Sequence, residues 1–215
     1  MIELRPLRIA LPSKGRLHKP SVELLSRAGI TVNNRSRSYL SEALGGALQI
    51  VFTRASDIPV YVHFGAVDLG VTGHDLVLER GADVYELLDL GFGWCKMVVA
   101  VPEDSAVNSV LEIPQGSRVA TSFPNITTSF FDELGVKVEV IEVEGAVEIA
   151  PRLGLADVVV DLSTTGQTLR ENELREIATI LESTARLICN KVSFRIREDE
   201  VMAIVERLRG CMWSS

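Results

Sequence analysis

Between Asp161 and Thr168 the chain reads Asp161-Leu-Ser163-Thr164-Thr165-Gly166-Gln167-Thr168. Hydroxyls at 163, 164, 165 and 168 can donate hydrogen bonds to an anion. Gly166 lets a ligand approach the backbone closely. Upstream, Val158-Val-Val160 reads as a strand buried on both faces. Downstream, Leu169–Leu174 reads as a helix. The first N–H groups of a helix lack intrahelical partners and its dipole favours negative charge, so strand, small-residue loop and helix start are the parts of a phosphate cradle. A plain strand-to-helix turn with a Ser/Thr N-cap uses the same residues. The loop contains neither Gly-Lys-Ser/Thr nor G-x-G-x-x-G, so it is neither a Walker loop nor a dinucleotide fingerprint.

Other residues invite chemistry. Ser13-Lys14-Gly15-Arg16 follows an apolar strand, and a Lys and an Arg around a glycine can grip a pyrophosphate or polyphosphate. The same pair also suits a solvated surface. Arg54 directly follows the strand Ile50–Thr53, at a strand end where ligands sit; Arg35 and Arg37 are further cations in the first half. Asp75 and Asp161 are placed to meet a ligand, and Asp161 can bind ribose hydroxyls or a hydrated Mg²⁺. Asp68 and Asp157 precede their strands and read as structural. His18, His63 and His74 share no metal-site spacing. Cys95, Cys189 and Cys211 are scattered, with no C-x-x-C, and read as reduced thiols.

The elements that must hold these residues alternate between strand and helix, which is the pattern of an α/β fold. Strands are expected at Leu7–Leu11, Ala47–Thr53, Leu69–Val71 and Met97–Val101, and helices at Lys19–Ala28, Ile58–Phe64 and Asp75–Arg80. The second half repeats the first. Arg8-Ile-Ala-Leu-Pro with its helix ending Ala28-Gly29-Ile30 resembles Arg118-Val-Ala-Thr-Ser with its helix ending Leu134-Gly135-Val136. Gly65-Ala-Val-Asp68-Leu-Gly-Val-Thr72-Gly73-His-Asp75-Leu resembles Gly154-Leu-Ala-Asp157-Val-Val-Val-Asp161 with its loop and helix, and the helices expected before them agree, at Asp57-Ile-Pro in one half and Glu148-Ile-Ala-Pro in the other.

Two lobes follow: residues 1–95 plus 183–215 form one, residues 96–182 the other. Loops at 12–16, 72–75, 121–127 and 162–168 are then expected to face one cleft, because ligands of open α/β sheets sit outside the carboxyl ends of the strands. Strands at 96–101 and 185–189 are expected to cross between lobes as a hinge. Val201, Ile204, Val205 and Leu208 form the apolar face of a helix over Asp199–Arg209, ended by Gly210.

The chain has 215 residues, 47% hydrophobic and 24% charged, enough to bury on the order of 70% of its unfolded surface without staples. A net charge of −7 argues against wholesale nucleic-acid binding. The start Met-Ile-Glu-Leu-Arg has no secretory signal and no apolar run approaches a membrane span, so a cytoplasmic protein is expected.

Asp161–Leu174, with Glu144-Gly-Ala-Val-Glu148-Ile-Ala-Pro-Arg-Leu-Gly-Leu-Ala-Asp157 upstream, closely resembles the signature of the ATP phosphoribosyltransferases, which catalyse the first step of histidine biosynthesis. Further matches run the length of the chain: Pro12-Ser-Lys-Gly-Arg-Leu17, Arg54-Ala-Ser-Asp-Ile-Pro59, Gly70-Val-Thr-Gly-His-Asp75, Gly93-Trp-Cys-Lys96 and Ala120-Thr-Ser-Phe-Pro-Asn125.

The resemblance implies a two-lobed, type II periplasmic-binding-protein-like fold, each lobe a mixed sheet flanked by helices. It implies that adenine N1 of ATP attacks C1 of 5-phosphoribosyl 1-pyrophosphate, with Mg²⁺ carried mainly on substrate phosphates. It also implies the short form of the family, a homodimer working with a histidyl-tRNA-synthetase-like regulatory subunit. By the same resemblance, Ser163–Thr168, including Gln167, holds the 5-phosphate, with Asp161 at the ribose. Lys14, Arg16 and Arg54 face pyrophosphate or the ATP phosphates. Arg37 contacts substrate across the dimer, and Asp75, Cys95, Lys96 and Glu148 join the substrate site. Ser38 and Ser122 stand where the family often carries charge. The other reading of such a chain is a non-catalytic binding protein of the same shape.

Overall fold

A computed structural model of the protein describes residues 5–31 and 40–212. The chain runs β1 (Leu7–Pro12), α1 (His18–Arg27), β2 (Leu40–Ala43), β3 (Leu48–Thr53), α2 (Ile58–His63), β4 (Leu69–Gly73), α3 (His74–Glu79) and β5 (Tyr85–Asp89). It continues through β6 (Cys95–Pro102), β7 (Ser117–Thr121), α4 (Pro124–Glu133), β8 (Val138–Glu142), β9 (Val158–Ser163), α5 (Gln167–Glu171) and β10 (Leu174–Ser183). It ends with β11 (Ala185–Cys189), α6 (Lys191–Ile196) and α7 (Glu198–Met212).

The chain divides into two units, Met1–Gly93 with Thr184–Ser215, and Trp94–Ser183. The first holds a mixed sheet in the order β2-β3-β1-β4-β11-β5, the second a mixed sheet in the order β10-β6-β9-β7-β8. In unit 1, β3, β1 and β4 are parallel and β11 is antiparallel to β4. In unit 2, β8, β7 and β9 are parallel and β6 is antiparallel to β9. The internal repeat seen in the sequence is therefore a repeat of sheet topology.

Each sheet earns its place by burial. In unit 1, Ile9, Leu11, Leu48, Ile50, Leu69, Val71 and Leu187 pack with α1 and with Val201, Ile204, Val205 and Leu208 of α7. Ala10 and Ile188 point to the opposite face, against Ile58 and Val62 of α2. Successive side chains of a strand alternate between faces, so a central strand covered on both sides must be apolar throughout. Val158, Val159 and Val160 are all buried, as that rule requires.

The two aspartates read as structural do the same job in both units. The Arg8 N–H donates to Asp68 Oδ2 (2.8 Å) and the Asp68 N–H donates to the Arg8 carbonyl (3.0 Å). The Arg118 N–H donates to Asp157 Oδ2 (2.9 Å) and the Asp157 N–H to the Arg118 carbonyl (2.9 Å). Each aspartate ties the start of the strand it introduces to the start of the neighbouring parallel strand. The preceding turns also match: Gly65 and Gly154 both take left-handed φ (70° and 66°), which glycine adopts without a Cβ penalty. The two sites differ in depth. Asp68 is buried and also receives Arg5 (2.7 Å) and the Ser193 hydroxyl (2.7 Å), with Arg197 at 3.6 Å. Burial alone would raise its carboxyl, but these donors hold it below its ordinary value. Asp157 is half exposed.

Four expectations change. Strands β6 and β11 do not cross between units: β6 lies wholly in the sheet of unit 2 and β11 in that of unit 1, and the chain passes over at 93/94 and 183/184. The helix expected at Leu169–Leu174 is instead α5 at Gln167–Glu171, because Glu173 turns to φ 58° and Leu174 already opens β10. Gly210 does not end the last helix, which runs on to Met212; propensity at one exposed glycine, about 1 kcal/mol, is outweighed by the packing of the rest. The helix preceding β9, expected to match α2, is a single 3₁₀ turn at Val147–Ile149.

The matched aspartates yield a contrast. Asp68→Ala removes the buried acceptor of Arg5, the Ser193 hydroxyl and the Arg8 N–H and leaves the buried Arg197 with Glu200 alone, and is expected to cost about 3–5 kcal/mol. Asp157→Ala removes an exposed pair and is expected to cost about 1 kcal/mol or less beyond its lost backbone bond. Urea unfolding of both variants measures the difference; equal losses would refute the assignment of depth.

Candidate active site

In unit 1 the parallel register sets Pro12 beside Thr53 and Ala10 beside Gly70, so β1, β3 and β4 all end at one edge of the sheet. The loops that leave this edge carry Lys14, Arg16, Arg54 and Asp75. They are stitched together by hydrogen bonds to main-chain carbonyls: the Ser13 N–H donates to the Thr53 carbonyl (2.7 Å) and the Thr72 hydroxyl to the Ala55 carbonyl (2.9 Å). Lys14 and Arg54 are exposed.

Arg16 is engaged within the unit. Its guanidinium lies 3.6 Å from Asp75 Oδ1 and donates to the Gly93 carbonyl. Asp75 is fully buried in the first turn of α3 and folds back over Gly73, where a Cβ would stand only 2.1 Å from its Oδ1. The Gly73-His-Asp75 spacing thus has a steric cause. Arg16 therefore joins the first strand-end loop, the start of α3 and the segment that leads out of unit 1. Nothing in the sequence signalled the Gly93 contact, which spans 77 positions.

In unit 2 the sheet edge at the ends of β7 and β9 carries the loop read as a phosphate cradle. Ser163 is buried, while Thr164, Thr165, Gln167 and Thr168 are exposed. Gly166 sits in the left-handed region (φ 71°) and its N–H donates to Ser163 Oγ (3.1 Å). The Gln167 N–H donates to Thr165 Oγ1 (3.3 Å). Helix α5 has only five residues, so its dipole contributes little; the anion-binding capacity of the loop rests on its N–H groups and hydroxyls. Arg170, absent from the residues singled out in the sequence, donates from Nη2 to the Thr165 carbonyl (3.1 Å). A cation on the turn just after a hydroxyl-rich loop was the available signal.

Asp161 lies in β9 two residues before the strand ends, paired across the sheet with Val98. Burial pushes its carboxyl up to about 6, the Leu162 N–H (2.7 Å) lowers it in part, and the charge of Glu148 raises it again. Glu148 comes from the 3₁₀ turn Val147–Ile149. Two acids are thus brought within electrostatic range of each other from positions 13 apart in sequence. Lys96 lies opposite Ser163 in the β6–β9 register, but both Glu176 oxygens take its ammonium, at 2.6 and 2.7 Å. Cys95 is buried at the start of β6. The structure therefore brings Asp161, Glu148, Lys96 and the 163–168 loop together in unit 2, and Lys14, Arg16, Arg54 and Asp75 together in unit 1. Arg37 lies outside the described residues.

A partly buried carboxylate beside a hydroxyl-rich loop, on an α/β sheet edge, has the groups that a phosphorylated, hydroxylated ligand such as a sugar phosphate would call for. Comparison with known proteins narrows that class. A sequence model of the family HisG, ATP phosphoribosyltransferase, matches residues 54–210. An ATP phosphoribosyltransferase from Methanocaldococcus jannaschii is 44% identical over 212 residues, 97% of this chain and 74% of the relative. A chain of the ATP phosphoribosyl transferase (HisG:HisZ) complex from Thermotoga maritima superposes with a TM-score of 0.86 at 30% identity, covering 97% of this chain and all of that one. The alkanesulfonate-binding protein SsuA from Xanthomonas axonopodis pv. citri has a TM-score of 0.58 at 16% identity, covering 98% of this chain and 74% of that one, and shows a shared fold alone. The chain belongs to the ATP phosphoribosyltransferase family, the enzymes of histidine biosynthesis.

The raised Asp161 carboxyl fixes the sign of a stability effect. Between about pH 4 and 6 the folded chain keeps a proton that the unfolded chain has released, so stability falls as pH rises through that window, by up to about 3 kcal/mol. Asp161→Asn removes the charge and keeps an acceptor for the Leu162 N–H. At pH 8 the variant is expected to melt about 5 °C or more above the parent. The gain should vanish toward pH 4. Calorimetric melting at both values tests this, and a gain that does not depend on pH would disprove it.

Proposed function

We propose that this chain joins ATP to 5-phosphoribosyl 1-pyrophosphate through adenine N1, releasing pyrophosphate, and that the Asp161–Thr168 loop seats the 5-phosphate with Asp161 at the ribose. The observation that carries this reading is the composite of one loop: exposed hydroxyls, the left-handed Gly166 and a half-buried acid, all inside the stretch matched by the family.

Adenine N1 carries no proton to lose, so the reaction needs no strong general base. The barrier lies in departure of pyrophosphate and in positive charge at C1 of the ribose. Asp161 is a poorly solvated acid with no cation in ion-pair distance among the described residues, Glu148 adds a second negative charge near it, and a developing ribosyl cation or its hydroxyls would answer that charge. Ser163, Thr164, Thr165, Gly166, Gln167 and Thr168 hold the 5-phosphate, which fixes C1 relative to the acids. Lys14, Arg16 and Arg54 receive pyrophosphate or the ATP phosphates; Asp75 keeps Arg16 in place. Mg²⁺ neutralises charge on the departing pyrophosphate when bound. Among the described residues no group of three His, Cys, Asp or Glu side chains is arranged to hold a metal. Cys95 and Lys96 complete the substrate site at the base of the loop, and Arg37 acts across a homodimer. A separate regulatory subunit is proposed as a partner, supported by the two-component complex of the Thermotoga relative.

Mixing the chain with ATP, 5-phosphoribosyl 1-pyrophosphate and Mg²⁺, with and without a regulatory partner, tests the activity through the ultraviolet change of an N1-substituted adenine. Ligand binding without any adduct would favour a binding protein. Arg16→Ala is expected to lower turnover roughly 10²–10³-fold, the effect of losing one positioned donor; a change confined to the Michaelis constants would exclude that role. Activity is expected to rise as Asp161 ionises near pH 6, and Glu148→Gln, by removing one negative charge beside it, should move that acid limb to lower pH. An unmoved limb would detach Glu148 from Asp161.

A further inference from the structure

Around the loop of unit 2 the cations are unequally engaged. Lys96 is neutralised by Glu176, whose carboxylate also accepts from the Thr179 hydroxyl (2.9 Å). Arg170 has no carboxylate within ion-pair distance among the described residues, and its guanidinium is turned back onto the loop itself. Nη2 donates to the Thr165 carbonyl at 3.1 Å. A Cβ added to Gly166 would meet Arg170 Nη1 at 2.9 Å, so the guanidinium lies directly on that glycine. The Arg170 N–H donates to the Gly166 carbonyl at 3.1 Å.

These contacts converge on one peptide group. The Thr165–Gly166 peptide has its carbonyl held by Arg170 and its N–H held by Ser163 Oγ. A peptide next to a glycine can rotate at low cost, because glycine tolerates both signs of φ. Rotation here would exchange the directions of carbonyl and N–H. A carbonyl oxygen turned toward a phosphate dianion repels it, whereas an N–H attracts it. Fastening the carbonyl with a charged donor selects one orientation, and charge-assisted hydrogen bonds are about twice as strong as neutral ones.

We infer that Arg170 is a positioning residue for the 5-phosphate: its guanidinium locks the Thr165–Gly166 peptide so that the carbonyl is kept off the anion and the Gly166 N–H occupies the Ser163 oxygen, which leaves the Ser163 hydroxyl to act as a donor. The inference rests on the reading of this loop as the phosphate seat. It separates Arg170 from Lys14, Arg16 and Arg54, which are assigned to the other phosphates.

The test compares Arg170→Ala and Arg170→Lys with the parent chain. Michaelis constants for both substrates, turnover, and the affinity for ribose 5-phosphate by calorimetry are measured, with melting temperature as a fold control. Arg170→Ala is expected to raise the constant for 5-phosphoribosyl 1-pyrophosphate about tenfold, the equivalent of 1.4 kcal/mol, while that for ATP stays within about twofold. Ribose 5-phosphate affinity should fall in parallel. Arg170→Lys, which keeps the charge and one donor, should recover part of the loss, and it carries the comparison if the alanine variant does not fold. Equal changes for both substrates, or a fall in turnover with unchanged constants, would overturn the inference. So would an unchanged ribose 5-phosphate affinity, whatever the turnover. A parent chain that binds ribose 5-phosphate but makes no adduct would instead fail the transfer reading, and the variants' affinities would still decide the role of Arg170.

Discussion

Parallel pairing at the centre of each sheet is the constraint from which the candidate site follows. Strand β1 lies between β3 and β4, and β7 between β8 and β9, all running the same way. Parallel neighbours need crossovers, so each strand must end in a loop at the same edge of its sheet. The start of each pair is pinned by an aspartate that bonds the backbone of the adjacent strand, Asp68 to Arg8 and Asp157 to Arg118. With starts fixed and lengths similar, the ends fall level. That is why the segments carrying Lys14, Arg54 and Asp75 leave one edge of unit 1, and why the turns after β7 and β9 leave one edge of unit 2.

The two edges carry different kinds of polar group. Unit 1 offers full positive charges, with Arg16 restrained by Asp75 and the Gly93 carbonyl and with Lys14 and Arg54 exposed. Unit 2 offers mainly neutral donors arranged by hydrogen bonds to Ser163 Oγ and Thr165 Oγ1. Beside those donors it keeps an acid that is costly to ionise. Burial makes the Asp161 charge costly at neutral pH, and a carboxyl raised in this way marks a candidate ligand site. Neutral donors suit the proposed phosphate seat beside a carboxylate, since full charges of both signs there would pair with each other.

Much of the fold was legible because it depends on local pattern. The valine run at 158–160, the apolar stripe of α7 and the duplicated order of Gly65–Asp75 and Gly154–Asp161 each report burial or turn chemistry directly. The structural role of Asp68 and Asp157 was legible from their position before a strand. The errors share a cause as well. Leu174 reads as the end of a helix until β10 claims it as a partner for β6. Gly210 reads as a stop until the packing of α7 carries the helix past it. Strands β6 and β11 read as linkers because their antiparallel partners are remote in sequence.

The sequence by itself determined which residues can do chemistry here, the twofold plan of the chain and, through resemblance spread over nearly its whole length, the family. These are matters of residue type, spacing and order, and they survive without coordinates. Only the tertiary structure decided how those residues are held. It made Arg16 a clamp on Gly93, gave Lys96 to Glu176, brought Glu148 near enough to raise Asp161, and laid Arg170 across Gly166. The physical reason is that hydrogen bonds and charge interactions act over a few ångströms between groups that the chain brings together from afar. Their partners are fixed by strand order and register, which no local window of sequence contains.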